Sequence, residues 1–201
     1  MLKHLTVATV ALAALTAPVR SADAQPAKKA PASKSAAADW TIDARQSRIA
    51  FSSKWAGNAV NGTFRQWSGD IKFDPNNLAG SQAVITIMTG SALTGVKEPD
   101  DNLATSDWFD ARKFPTARYV TQSIRSVGLG RYVAEGVLTV KGVNYRLPLP
   151  FSVSISGNVA TMTGQVKLDR MALKLGLESD AGAEWVARET VVNVAVRATR
   201  K

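Results

Sequence analysis

Large apolar residues alternate with polar or small ones along several stretches of this chain, and this pattern constrains the fold more than any other feature. Residues 147–155 and 192–196 both have a large apolar side chain at every second position. A period of two is that of a β-strand with one buried face. Turn signals such as Asn61-Gly62 and Gly157-Asn158 recur about every 10 to 15 residues, which favours antiparallel strands in a sandwich or a barrel.

The alternation and the turns together predict about eight to ten strands. They fall at residues 40–44, 47–55, 60–66, 68–74, 82–89, 116–126, 131–140, 143–155, 158–169 and 188–199. Pro148 and Pro150 cannot donate to a sheet ladder, so the strand that contains them is expected at a sheet edge or at a bulge. Residues 90–115 contain few β-formers and are expected to include a short helix.

The first 24 residues have the features of a secretory signal peptide. A lysine lies near the start, residues 5–17 form an apolar core too short to span a membrane, and Ala22-Asp23-Ala24 fits a cleavage site. We therefore expect residues 1–24 to be removed and the mature protein to be periplasmic or secreted. Residues 25–38 are rich in Ala, Pro, Lys and Ser and predict a disordered linker. Residues 39–201 remain as one folded domain.

The chain has no cysteine, and its only histidine, His4, lies in the predicted signal peptide. This composition excludes Ser-His-Asp and Cys-His catalysis, histidine-ligated haem, and ordinary zinc or copper sites in the mature protein. We therefore expect the mature protein to contain no metal, no cofactor and no disulfide.

The net charge of +9 is spread unevenly along the chain. Residues 39–201 hold 20 basic and 15 acidic side chains, which gives the domain a net charge of +5. Its basic residues are scattered singly, whereas nucleic-acid binding usually needs clustered Lys and Arg beside stacking aromatic rings. The sequence therefore predicts no nucleic-acid partner, while transient contact with a membrane surface and formation of a homodimer stay open.

A series of short motifs runs in a fixed order along the predicted domain. The motifs are W-T-I-D at 40–43, V-N-G-T-F at 60–64, G-D-I-K-F-D-P at 69–75, D-N-L-A-T-S-D-W-F-D at 101–110, F-P-T-A at 114–117 and G-V-L-T-V-K-G-V at 136–143. This ordered set resembles the YceI-like family, also called the polyisoprenoid-binding family. The resemblance implies an all-β fold: an extended antiparallel lipocalin-like β-barrel with a short helical segment capping one end. It also implies an apolar lumen that binds an isoprenoid or another lipid-like ligand, and no catalytic residues.

On such a fold, residues 107–114 are expected to form a helical plug at one barrel end. Ser106 or Asp107 would cap the helix, since a side-chain oxygen at this position accepts from the first free N–H groups. Trp108 or Phe109 would supply the buried surface of the plug, and its acids would be polar ends without a catalytic role.

Large apolar side chains on the predicted strands and plug are the candidate cavity residues. They are Phe51, Trp55, Phe64, Ile85, Ile87, Trp108, Phe109, Leu147, Leu149 and Phe151. The interior of an eight-stranded barrel is wide enough either for side chains alone or for one small ligand. The resemblance favours a cavity, and hence a periplasmic or secreted carrier that holds a long apolar ligand in its lumen.

Two other functions stay open. A hydrolase could use the acidic residues 98–110, which include Glu98, Asp100, Asp101, Asp107 and Asp110. It would need one carboxyl with a raised pKa beside one that stays ionised, whereas helix caps and solvated loop acids also account for such residues. A barrel with a filled core could instead serve as an interaction module.

Overall fold

Residues 36–201 are described by the computed structural model. The predicted signal peptide, residues 1–24, and the predicted linker up to residue 35 lie outside the described residues. Ala37 is buried, and the Ala38 carbonyl accepts a hydrogen bond from the Phe73 N–H at 2.9 Å. Packing against the domain therefore begins just before the first strand.

The described residues contain twelve strands, most of which follow the alternation of the sequence, and one α-helix. The strands are β1 (Asp39–Ile42), β2 (Arg48–Trp55), β3 (Asn58–Phe64), β4 (Trp67–Lys72), β5 (Gln82–Met88), β6 (Ala92–Leu93), β7 (Thr116–Gly128), β8 (Arg131–Val140), β9 (Val143–Arg146), β10 (Leu149–Ser156), β11 (Val159–Asp169) and β12 (Glu189–Arg200). The helix is α1 (Lys97–Leu103). Most strands lie within about two residues of the expected positions, but the two-residue β6 lies within residues 90–115, where no strand was expected.

The strands close into an eight-stranded antiparallel barrel. Four of its eight positions are filled by two short strands in succession: β1 with β2, β3 with β4, β5 with β6, and β9 with β10. Closure depends on β12, which pairs with β11 on one side and with both β1 and β2 on the other. The register places Trp40 opposite Arg200 and Ile49 opposite Val194. The expected all-β barrel is confirmed.

The strand expected at residues 143–155 is broken into β9 and β10, which both pair with β8. At the break, the Leu147 N–H still donates to the Gly136 carbonyl at 2.9 Å, whereas Pro148 and Pro150 have no N–H to donate. Because β10 lies between β8 and β11, the prolines mark an irregularity inside the sheet and not an edge.

The prediction of a helix at residues 107–114 is wrong. The chain there forms irregular turns, and Asp110 has a left-handed backbone with φ of +46°. Asp107 does not cap a turn of its own, because its carboxylate accepts hydrogen bonds from Ser179 on another segment. The helical segment at this barrel end is α1, which comes earlier in the chain.

Two clusters of buried side chains stabilise the two ends of the barrel. The cluster near α1 consists of Ala117, Tyr119, Leu138, Val140, Leu147, Leu173 and Leu175, with Trp108 and Phe109 packed against it. The cluster at the opposite end consists of Trp40, Phe73, Tyr132, Ala160, Val196 and Ala198. Each large apolar side chain buried in this way contributes about 1.5–3 kcal/mol. In residues 36–201, no helix has the length and hydropathy needed to cross a membrane.

Candidate functional site

A cavity of about 660 Å³ runs through the barrel between the two clusters. Alternate residues of each strand point inward, so β12 contributes Val192, Val194, Val196 and Ala198 to the lining. Most of the lining consists of aliphatic and aromatic side chains. The volume lies within the range of about 300–1,000 Å³ that is typical of small-molecule sites.

All ten side chains expected to form a cavity do line it. These are Phe51, Trp55, Phe64, Ile85, Ile87, Trp108, Phe109, Leu147, Leu149 and Phe151. Their role in holding a ligand stays a prediction. Missing from that set are Trp40, Tyr119 and the valines of β12, which also line the cavity. The period of two in β12 is the sequence signal that could have found its valines.

Two glycines on the inner face of the sheet leave room for aromatic rings. Gly62 lies opposite Phe51 in the pairing of β2 with β3, and a Cβ on Gly62 would overlap the Phe51 ring. A Cβ on Gly136 would come within 2.5 Å of the Tyr119 ring and hydroxyl. Burial, with a smaller effect from a nearby glutamate, raises the pKa of Tyr119, so this phenol stays neutral.

Aromatic rings fill the end of the barrel that lies opposite α1. The ring centroids of Phe73, Tyr132 and Phe151 lie 5.2–6.0 Å apart. Trp40 is buried beside them, and its indole N–H donates to the Phe73 carbonyl at 2.9 Å. These contacts narrow the cavity at this end, whereas the exposed side chains of Glu98 and Trp185 line it at the other end.

The other end lies among three segments, which we call the mouth: residues 54–58, α1 and residues 178–186. The Ala56 N–H donates to the Trp185 carbonyl at 2.7 Å, which ties the first segment to the third. Trp185 lines the cavity and is still 63% exposed to solvent. From α1, Glu98 reaches the lining. The mouth therefore combines exposed apolar surface with charged side chains.

A buried ion pair holds the irregular segment that follows β11, residues 170–188, which we call the strap. The Arg170 side chain is 2% exposed, and its Nη2 lies 2.7 Å from Oδ2 of Asp180. The same guanidinium donates to the carbonyls of Leu175 at 2.7 Å and Val186 at 2.9 Å. It also lies 5.5 Å from the centroid of the Trp108 ring. Arg170 thus joins several turns of the strap.

The Asp180 carboxylate also accepts hydrogen bonds from backbone N–H groups of the strap. It receives the N–H groups of Glu184 at 2.8 Å, Trp185 at 3.2 Å and Val186 at 2.8 Å. Desolvation acts to raise the pKa of Asp180, but these donors and Arg170 outweigh it and hold the pKa below its ordinary value. Neither this pair nor its burial was predicted from the sequence.

The acids of residues 98–110 are mostly engaged in structural contacts. Asp100 accepts from the Thr94 hydroxyl at 2.7 Å and the Thr94 N–H at 2.6 Å, and these hydrogen bonds lower its pKa. Asp101 lies 2.6 Å from the ammonium of Lys97, one helical turn away.

Asp107 is held in a similar way by the strap. Desolvation acts to raise the pKa of Asp107, but the Ser179 hydroxyl and the N–H groups of Glu178 and Ser179 prevail and lower it. A general acid needs a raised pKa, and the two shifted carboxyls of this region, Asp100 and Asp107, are both lowered. Within residues 36–201, no three His, Cys, Asp or Glu side chains come together as a metal site.

A closed antiparallel barrel with an apolar, partly open lumen defines a class of proteins that enclose small apolar molecules. The sequence model of the YceI-like domain matches residues 40–198, so the chain belongs to the YceI-like family. A UPF0312 protein of Vibrio vulnificus is 31% identical over 110 residues, which are 53% of this chain and 58% of that protein. The chain spans about three fifths of the length of the curated relatives it matches.

Solved structures share the barrel. The crystal structure of BcnA from Burkholderia cenocepacia superposes with a TM-score of 0.76 at 31% identity, and covers 79% of this chain and 100% of BcnA. A polyisoprenoid-binding domain from Saccharophagus degradans, implicated in plant cell wall breakdown, superposes with a TM-score of 0.63. Its identity is 15%, over 82% of this chain and 99% of that domain, so the likeness shows the fold alone.

Proposed function

We propose that this protein is a periplasmic or secreted binding protein that carries a long apolar ligand, such as an isoprenoid, in the barrel lumen, and that it is not an enzyme. The observation that carries the proposal is the cavity of about 660 Å³ with its largely aliphatic and aromatic lining. Burying an apolar chain there removes both the chain and the lining from water, which is the main source of affinity for such a ligand.

The family supports this assignment, and one solved relative of the same fold is described as a polyisoprenoid-binding domain. The competing functions have less support. The carboxyls of Asp100 and Asp107 already accept several hydrogen bonds each and have lowered pKa values, which does not suit an acid-base pair. A filled core is at odds with the cavity.

Mass spectrometry of solvent extracts from the purified protein tests the proposal most directly. We expect a lipid-like molecule to be extracted from the wild-type protein in stoichiometric amount. Val192→Trp should abolish its retention, because Val192 lines the cavity. Val191→Trp is the matched control, since this neighbour belongs to the same strand but is not among the residues that line the cavity.

If the wild-type protein yields no lipid and binds no added isoprenoid, the proposed function is wrong. Equal retention by the two tryptophan variants would place the ligand outside the lumen. The location has a separate test: the intact mass of the exported protein should correspond to a chain that begins at Gln25, and a mass that retains residues before Ser21 would contradict it.

A further inference from the structure

The charged side chains that reach the cavity are concentrated at its mouth. They are Lys54, Lys72, Glu98, Arg170 and Asp180, and all but Lys72 lie at the mouth or in the strap beside it. An amphiphile whose tail lies in the apolar lumen must leave its polar end where polar partners or water are available, because a buried polar group without partners is costly. The head group of the ligand therefore belongs at the mouth.

Two of these charges are not engaged by the protein. Arg170 and Asp180 pair with each other, and Lys72 lies 3.9 Å from Asp39. Across residues 36–201, the ion pairs and side-chain hydrogen bonds leave the Glu98 carboxylate and the Lys54 ammonium without a partner. The Glu98 carboxylate is thus a charged acceptor on the lining that is available to a ligand.

The mouth is acidic although the domain is basic. The helix α1 carries one lysine against three acids, and residues 178–186 carry three acids and no base. With Lys54, the three segments of the mouth hold two bases and six acids, a net charge of −4, and the buried Arg170 of the adjacent strap reduces this to −3, whereas residues 39–201 have +5. A phosphate head group carries a charge of about −1.5 to −2, so the net charge of the mouth disfavours it, while the Lys54 ammonium acts in the opposite direction.

We propose that Glu98 selects the head group of the ligand, and that the cavity takes amphiphiles ending in an uncharged or cationic hydrogen-bond donor, such as a primary alcohol or amine, in preference to a phosphate. The carboxylate accepts the donor's hydrogen bond and is strengthened as an acceptor by its charge. This inference rests on the proposed function and specifies the chemistry of its ligand.

Three probes with the same tail test the inference: geranylgeraniol, geranylgeranylamine and geranylgeranyl monophosphate. We would measure the dissociation constants of delipidated wild-type protein, Glu98→Gln and Asp70→Asn at low salt. Wild type should bind the phosphate most weakly. A unit charge about 4 Å away in water changes affinity about fivefold, so Glu98→Gln should bind the amine about fivefold more weakly and the phosphate at least fivefold more tightly. The alcohol should change less than either charged probe.

Asp70→Asn is the matched control, because it removes the same charge from an exposed residue of β4 whose side chain is not among those that line the cavity. It should leave all three affinities within about twofold of wild type. If wild type binds the probes but Glu98→Gln changes none of the ratios, or if Asp70→Asn changes them equally, the role of Glu98 is overturned while the proposed function stands. If no probe binds to wild type, the proposed function itself fails.

Discussion

Replacing Arg170 by methionine tests whether the buried ion pair holds the strap in place. The side chain is 2% exposed and donates to Asp180 at 2.7 Å and to the carbonyls of Leu175 and Val186. Methionine has similar bulk but no donor, so the Asp180 carboxylate would lose its counter-ion in a buried site. Removing one partner of a buried pair costs about 3–5 kcal/mol, and we expect the free energy of unfolding to fall by that amount.

Urea unfolding followed by intrinsic tryptophan fluorescence measures this loss. Trp108 lies 5.5 Å from the guanidinium of Arg170 and is one of the reporters. The urea concentration at the midpoint of unfolding should fall. The slope of the free energy of unfolding against urea concentration should stay unchanged, since the same surface is exposed on unfolding. Arg170→Lys should lie between wild type and Arg170→Met, because lysine keeps the charge but lacks the planar fork of donors.

Arg188→Met is the matched control at the other end of the strap. Arg188 pairs with Asp169 at 2.8 Å, but its side chain is 70% exposed. Exposed ion pairs contribute little to stability, so this variant should hardly move the midpoint. Equal shifts in Arg170→Met and Arg188→Met would refute the reasoning, because burial would then make no difference to the two pairs.

Other substitutions and conditions probe the rest of the barrel. Trp108→Ala should lower the free energy of unfolding by about 3–5 kcal/mol, because the ring packs against the buried cluster near α1. Asp110→Asn should hardly change the free energy of unfolding, since asparagine tolerates the left-handed backbone there. Equal urea midpoints for Trp108→Ala and Asp110→Asn would contradict this expectation. Gly62→Ala should cost about 1–3 kcal/mol, because its Cβ would overlap the Phe51 ring, and an unchanged melting temperature would disprove that contact. The pKa of Asp180 in the folded protein lies below its ordinary value of 3.8, so its stabilisation is fully present above that value and is lost as the pH falls through the lower one. The free energy of unfolding should therefore drop below about pH 4, and less steeply in Asp180→Asn, when measured by denaturation across that range.

Most strands were predictable because they have a strong local signal, whereas the two-residue β6 lies in a segment with few β-formers and was not predicted. Alternation in residues 147–155 and 192–196 and the glycine-containing turns placed most strands within about two residues. Closure into a barrel was not predictable from these patterns alone, since pairing of β1 with β12 depends on registers between the two ends of the domain. The barrel was predicted instead from the ordered motifs, because they resemble those of the YceI-like family.

The region around the mouth was harder to predict from sequence. The helix α1 has no side-chain hydrogen bond at its N-cap and contains Pro99, so its local signals are weak. Asp107 has the sequence features of a cap, but its carboxylate binds the strap. Arg170 and Asp180 are of residue types that are usually exposed, and ten positions separate them, so their burial depends on tertiary structure.

The position of β12 has a consequence for how the chain folds. Because β12 completes the barrel against β1, β2 and β11, the first strand of the domain cannot find one of its two neighbours until the last strand is available. Contacts between such distant segments slow folding, since the chain must lose loop entropy before they form. Refolding of this barrel should therefore be slow for its size, and the apolar inner faces of the strands are exposed to aggregation until the final strand docks.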